Sequence, residues 1–218
     1  MSTPTGPQPR AVLELVEVPR VPPAPGVDER AEYLPWLRGP QRQLEFVIDG
    51  RPLHERLLAV PAPDDDTSWL DDQWGMPSVV DLSWPSYAAA DLRRLAGTQA
   101  RDEESWPLGP GRLPLYVCSV CGDLGCGAVT VHVDHDQPGQ VTWSAFRHEN
   151  GYEPSDDLDL SAAGTFTFDT DAYRQSLLEP VGVLEALAAD EREAKGRHRR
   201  ELPQRHATRW LDRLRRRP

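Results

Sequence analysis

Cys118, Cys121 and Cys126 lie close together in the run CSVCGDLGCG, near the middle of the 218-residue chain. Two cysteines spaced C-x2-C and followed by glycine are typical of a metal knuckle, in which thiolates bind a tetrahedral ion and glycine tolerates the required backbone. Three sulfurs leave one tetrahedral position for another ligand. A structural zinc site is therefore the first chemistry that this spacing predicts.

The strand pattern on both sides of the cysteines indicates which histidine supplies the fourth ligand. Residues 128–134 and 140–146 alternate as strands, and Pro138-Gly139 between them is typical of a type II turn. Pairing Asp134 with Gln140 sets a register in which partner numbers sum to about 274, with Val133 opposite Val141 and Val131 opposite Trp143. Extended further, this register places His148 opposite Cys126, so we expect His148 to complete the site.

Two other interpretations of the thiols stay open beside zinc. In one, the cysteines are small apolar residues buried in a glycine-rich turn. In the other, Cys118 and Cys121 form a redox pair with Cys126 as resolving thiol, which makes the protein a thiol-dependent oxidoreductase. The redox interpretation is the weakest. A helix N-terminus after such a pair lowers the thiol pKa, whereas β-type residues follow this one.

Motifs of other enzyme classes are missing from the sequence. The glycines between 122 and 127 run in the order G-x-x-G-x-G and precede a strand, so we expect no nucleotide cofactor. The chain contains no G-x-S-x-G, no H-E-x-x-H and no P-loop motif, and His54 beside Glu55 is unspecific. We therefore expect a non-catalytic role.

Three runs of sequence carry a family resemblance: FVIDGRPL at 46–53, LYVCSVCGDLGCGAVTV at 115–131 and VTWSAFRHEN at 141–150. They resemble a group of uncharacterised small proteins from GC-rich bacteria of the actinobacterial type. The CxxCGDxGCG turn between strands is the specific part. The resemblance implies an α+β domain in a bacterial cytosol and implies no activity.

The pattern of apolar residues predicts an α+β fold with a central antiparallel sheet, a meander around residues 113–148, and C-terminal helices. Further strands are expected at 11–18, 43–48 and 165–168, and helices at 87–100, from 171 and from 181. After the Asp49-Gly50 turn, a short helix and a hairpin partner fit equally well. We divide the chain into a Pro-rich arm (1–40) with one candidate strand, a single domain (41–189) and a basic helical tail (190–218). The apolar stripe of 181–188 is expected to pack on the sheet.

The charge distribution indicates the kind of partner. Residues 190–218 hold 11 of the 24 basic and 5 of the 35 acidic side chains, so the tail is +6 and residues 1–189 are −17. An acidic body opposes nucleic-acid binding and suits a basic protein partner, as in an accessory or immunity-like factor. Nucleic acid is expected only at the tail, whose alternative is folding back onto the acidic body.

An acidic and aromatic segment between Pro61 and Pro85 is the candidate contact surface for that partner. Tryptophan supplies binding energy and carboxylates steer a basic protein. A surface loop pinned by its tryptophans is the plain alternative, and the spacing does not match a calcium loop. The residues assigned to partner binding are Asp64, Asp65, Asp66, Trp69, Asp71, Asp72 and Trp74.

The expected location is the cytoplasm of a bacterium. No apolar run approaches the ~18 residues of a membrane span, and the first ten residues lack the apolar core of a secretion signal. Three cysteines are too few for a disulfide-stapled secreted scaffold.

Overall fold

The computed structural model describes residues 10–19, 42–61, 78–82, 84–100, 108–117, 124, 127–149 and 158–201. The strands are β1 (Leu13–Pro19), β2 (Arg42–Ile48), β3 (Arg51–Pro52), β4 (Arg112–Val117), β5 (Ala128–Asp134), β6 (Gln140–Glu149), β7 (Leu158–Asp159) and β8 (Phe166–Asp169). The helices are α1 (Leu53–Leu58), α2 (Pro85–Leu95), α3 (Thr170–Leu178) and α4 (Val181–Glu201). The expected α+β fold with antiparallel sheets and C-terminal helices is confirmed.

The strands form two antiparallel sheets that are joined to each other on both sides. One sheet has the order β1-β2-β3; in the other, β4, β5 and β6 are consecutive, and β7 and β8 both pair with β6. Residues 78–82 lie between β2 and β4, with Leu44 N–H donating to the Val80 carbonyl and Val79 N–H to the Leu115 carbonyl. On the other side, Ala11 N–H donates to the Thr167 carbonyl. A continuous hydrogen-bonded circuit of strands results.

Aromatic side chains fill the centre of this circuit. Trp143 of β6 is fully buried, and its ring meets Phe46 of β2 and Phe168 of β8 edge-on, with centroids 5.7 and 5.5 Å apart. Its indole N–H donates to the Tyr173 hydroxyl over 2.9 Å, and that hydroxyl donates to the Leu95 carbonyl over 2.8 Å. One chain of hydrogen bonds thus ties β6 to α3 and to the end of α2, and leaves no buried polar atom of these two rings unsatisfied.

The β5–β6 register differs from the predicted one. Near the turn, Val133 pairs with Trp143 and His132 with Ser144, so partner numbers sum to 276 instead of 274. A bulge then shifts the register again, and Val129 pairs with His148. Ala145, at the bulge, has φ 50°, a conformation that residues with a Cβ seldom adopt. The predicted pairing of His148 with Cys126 is therefore wrong.

The turn itself agrees with the prediction. Pro138 and Gly139 lie at its centre, Gln140 N–H donates to the Gln137 carbonyl over 3.1 Å, and Gly139 has φ 71°. A left-handed φ at the third position of the turn requires glycine or asparagine. The error in register arises because Asp134 faces Thr142, two residues inside the strand, and not Gln140.

The C-terminal helices begin where their caps predict and pack differently from the prediction. The Asp169 carboxylate accepts the N–H groups of Asp171 and Ala172 and so caps α3. The stripe Val181, Leu184 and Ala188 is buried, but α4 packs mainly against α2 and not against the sheet, and Leu187 is exposed. None of the described helices is long and apolar enough to cross a membrane.

Gly139 and Gly182 allow the cost of backbone strain to be measured without a steric clash. An added Cβ meets nothing within 4 Å at Gly139 or at Gly182, and only Gly139 has a positive φ. We expect Gly139→Ala to lower the free energy of unfolding by about 1 kcal/mol and Gly182→Ala, in the first turn of α4, to raise it by about 0.5 kcal/mol. Urea unfolding midpoints at unchanged slope measure both effects. Equal effects of the two substitutions would contradict the assigned turn.

Candidate functional site

The predicted metal site lies only in part within the described residues. Cys118, Cys121 and Cys126 are outside them, and His148 is inside. The described flanks show that the cysteine segment connects a hairpin, because Val117 at the end of β4 pairs with Ala128 at the start of β5. At that connection, Gly127 N–H donates to the Leu124 carbonyl over 3.0 Å.

The imidazole of His148 lies directly against the end of this connection. A Cβ built on Gly127 would stand 2.5 Å from His148 Nε2, closer than real contacts allow, and Gly127 has φ 103°. Glycine is therefore required here for two reasons, backbone conformation and the space that the ring occupies. The strand partner of His148 is Val129, yet its ring reaches the residue that follows Cys126 in the chain.

The protonation state of His148 suits a metal ligand. Partial burial lowers the pKa of His148, against a smaller raising effect of the neighbouring Glu149 carboxylate. The neutral imidazole has a nitrogen lone pair, which is what a metal ion binds. Among the described residues, no three His, Cys, Asp or Glu side chains are grouped so as to hold a metal ion. Any such site on this hairpin would therefore take some of its ligands from residues outside that part of the chain, where the cysteines lie.

A buried ion pair links the first residue of β4, at the opposite end of the hairpin, to the last residue of β6. Arg112 Nε lies 2.5 Å from Glu149 Oε1, and both side chains are about nine-tenths buried. The Thr130 hydroxyl donates to the same carboxylate, and Arg112 Nη1 donates to the Ala145 carbonyl over 2.9 Å. The guanidinium thus satisfies the carbonyl of the bulged residue, which holds the register shift in place.

The predicted partner-binding residues Asp64, Asp65, Asp66, Trp69, Asp71, Asp72 and Trp74 lie outside the described residues. The described chain resumes at Ser78 and, at the start of α2, presents two aromatic side chains to solvent. Trp84 is 39% and Tyr87 66% exposed, and their ring centroids are 6.0 Å apart at an interplanar angle of 70°. Tyr87 was expected only as a residue of the helix, because helical periodicity cannot tell an exposed aromatic from a buried one.

A second polar cluster was missed from the sequence. Glu45 of β2 is buried, with 3% of its side chain exposed, and its Oε1 lies 3.3 Å from Nδ1 of His54. The Tyr116 hydroxyl of β4 donates to the same oxygen over 2.5 Å. Period-two alternation puts Leu44, Phe46 and Ile48 on one face of β2 and Glu45 on the other. That other face is also interior at Glu45, because α1 contributes His54 and β4 contributes Tyr116 to it.

A local signal for this cluster exists in the tight Asp49-Gly50 turn. Both residues have positive φ, and β3 pairs Pro52 with Val47 before α1 begins at Leu53. Because a helix begins directly after this two-residue hairpin, His54 comes to lie beside β2, the strand that leads into the turn. Both predicted alternatives for this segment are thus present, one after the other.

The approach of His148 to Gly127 is tested by a double-mutant cycle. Gly127→Ala adds a clash to a strained φ, so we expect a loss of about 2 kcal/mol in the free energy of unfolding. His148→Ala in the same chain should restore about half of that loss, since only the strain then remains. The matched pair Gly139→Ala with His148→Ala should be additive. Additivity at Gly127 as well would contradict the contact.

The chain matches no protein-family model, no curated protein and no solved structure.

Proposed function

We propose that this protein binds a basic protein partner, with the exposed pair Trp84 and Tyr87 at the centre of the contact. This pair is the observation that carries the proposal. Large aromatic side chains contribute disproportionately to binding energy when a partner covers them. Exposed apolar patches on a folded protein often mark interaction sites.

The geometry of the pair suits a protruding side chain of the partner. The rings meet edge-to-face, so their two faces form a corner, and a planar guanidinium or an aliphatic stem packs well in such a corner. Trp84 is held at the start of α2, where its carbonyl accepts the N–H groups of Tyr87 and Ala88, each over 3.0 Å. The main chain that carries the corner is therefore fixed by helix geometry, and little backbone conformational entropy is lost on binding.

Charge supports a basic partner. Residues 1–189 carry a formal charge of −17, and the segment that precedes Trp84 contains Asp64, Asp65, Asp66, Asp71 and Asp72. Long-range attraction raises the association rate for a cationic protein, and the aromatic pair supplies the short-range contact. Affinity should accordingly fall with ionic strength but not vanish.

A structural zinc ion held by Cys118, Cys121, Cys126 and His148 is the second part of the proposal. Its support is the position of the His148 ring against Gly127, the residue next to Cys126, together with the burial that keeps this imidazole neutral. Such a site would tie the hairpin connection to β6 and would contribute folding free energy directly. The strand partner of His148 is Val129, so the site depends on the reach of the His148 side chain toward the connection.

The partner proposal is tested with an arginine-rich synthetic peptide as the probe. Trp84→Ala and Tyr87→Ala should each weaken the peptide affinity at least about tenfold, as expected for central aromatic residues of an interface. Val183→Ala, which removes an exposed apolar side chain on α4, is the matched control and should leave the affinity unchanged. Calorimetric titration at low and high salt measures the three affinities. Equal affinities for all variants would overturn the proposal.

The zinc proposal is tested by metal content and thiol titration on the untagged protein. One zinc per chain, with thiols that react only after chelation, is the expected result. His148→Ala should weaken zinc retention against a competing chelator at least about tenfold, and His135→Ala should not. Absence of metal, with three thiols that titrate freely, would overturn it. A disulfide between Cys118 and Cys121 would instead favour redox chemistry.

A further inference from the structure

A histidine, a buried carboxylate and a buried phenol form one cluster at the junction of α1, β2 and β4. Glu45 Oε1 lies 3.3 Å from His54 Nδ1, 2.5 Å from the Tyr116 hydroxyl and 3.4 Å from the backbone nitrogen of His54. The imidazole is about half exposed, whereas Glu45 and Tyr116 are buried. This cluster is distant in sequence from the cysteines and from the aromatic pair.

We propose that His54 is a nucleophilic catalytic residue that accepts an acyl group at Nε2 from esters with short apolar acyl chains, and that Glu45 is its positioning residue.

The tautomer follows from the geometry. Because Nδ1 faces a carboxylate, Nδ1 is the nitrogen that carries the proton, and the lone pair of the neutral ring is on Nε2. Nε2 has no hydrogen-bond partner among the described residues, and the ring is open to solvent. A carboxylate that orients an imidazole in this way is the recurrent arrangement for nucleophilic and general-base histidines.

Tyr116 keeps the carboxylate in place. Burial, with the adjacent Glu45 carboxylate as a further cause, raises the pKa of Tyr116 far above its ordinary value, so its hydroxyl stays protonated and donates to Glu45 Oε1. The main-chain N–H of His54 adds a longer contact to the same oxygen. Glu45 thus cannot turn away from the imidazole without losing a buried hydrogen bond.

Two exposed apolar side chains share a face with members of the cluster. Val16 is the cross-strand partner of Glu45 and lies on the same face of the sheet. Leu58 is four residues after His54 on α1 and so shares its helical face. Both side chains are more than 40% exposed. They offer an apolar contact for an acyl chain of a few carbons, while a charged acyl group gains nothing there.

The reaction balances with water as the only co-reactant. The Nε2 lone pair attacks the ester carbonyl carbon, a C–N bond forms, and the C–O bond to the leaving alcohol or phenol breaks with its electron pair. The Nδ1 proton of the resulting cation is stabilised by Glu45. Water then attacks the acyl-imidazolium and the C–N bond breaks with its electron pair on Nε2. One water proton passes to the released alkoxide or phenolate, or to solvent, so a carboxylic acid is formed and neutral His54 is regenerated.

The charged groups around His54 give the reaction a defined pH dependence. Contact with Glu45 raises the pKa of His54, burial opposes this, and the Glu55 carboxylate on α1 adds a smaller raising effect. Arg51 of β3 pairs with Glu55 over 3.7 Å and moderates that effect. Since only the neutral ring attacks, the rate falls as pH drops through the raised pKa. Neutralising Glu45 lowers that pKa and shifts the acid limb to lower pH.

The probes are p-nitrophenyl acetate and p-nitrophenyl butyrate, with p-nitrophenolate release followed over time and the acylated residue mapped by peptide mass spectrometry. We expect the butyryl group on His54, and His54→Gln should lower the rate at least about tenfold. Glu45→Gln should lower the rate and displace the acid limb of the pH profile to lower pH, which a merely structural role would not do. His135→Gln is the matched control and should retain the rate.

The apolar contact has its own readout. Val16→Thr and Leu58→Gln should each raise KM for the butyrate by a larger factor than KM for the acetate. An acyl group on another residue, or a rate for His54→Gln within about twofold of the wild-type rate, would overturn the proposal. His54 is half exposed, so its substitution tests the chemistry even if Glu45→Gln fails to fold.

Discussion

The burial of the Glu45 carboxylate is the constraint on which the arrangement of the two sheets depends. A carboxylate taken out of water must receive hydrogen bonds, and removing one partner of such a buried group typically costs about 3–5 kcal/mol. Here the donors come from different elements, Tyr116 on β4 and His54 on α1. The distance between β2 and β4 and the position of α1 are therefore set together. The same demand makes His54 point its other nitrogen outward.

A second buried charge governs the other half of the molecule. The Arg112 guanidinium satisfies Glu149 and also the carbonyl of Ala145, so the bulge in β6 is stabilised by an interaction across three strands. Without that bulge, each residue of β6 beyond Ala145 would face the opposite side of the sheet. The ring of His148 reaches Gly127 only because of this shift. Each buried carboxylate thus lies beside a histidine: Glu45 contacts His54, and Glu149 follows His148 in the chain.

The three sites lie on different parts of one framework and depend on it unequally. The aromatic corner of Trp84 and Tyr87 is built within the first turn of α2 and needs only that helix. The His54 cluster needs both sheets, because Tyr116 and Glu45 belong to different ones. The position of His148 depends on the β5–β6 register. The proposed partner contact is consequently the one most tolerant of change elsewhere in the domain, and the arrangements around the two histidines are the least tolerant.

The secondary-structure elements follow from short stretches of sequence, whereas the side-chain sites depend on tertiary contacts. Alternation and turn chemistry are properties of a few consecutive residues, so the strands around Pro138-Gly139 and the Asp169 cap of α3 follow from the sequence. Register is not local: the bulge at Ala145 exists because Arg112, from another strand, satisfies its carbonyl. Likewise, period two tells which residues share a face but not whether both faces are covered, so it cannot show that Glu45 is buried. Which side chains meet depends on long-range pairing, and single-strand patterns carry no information about it.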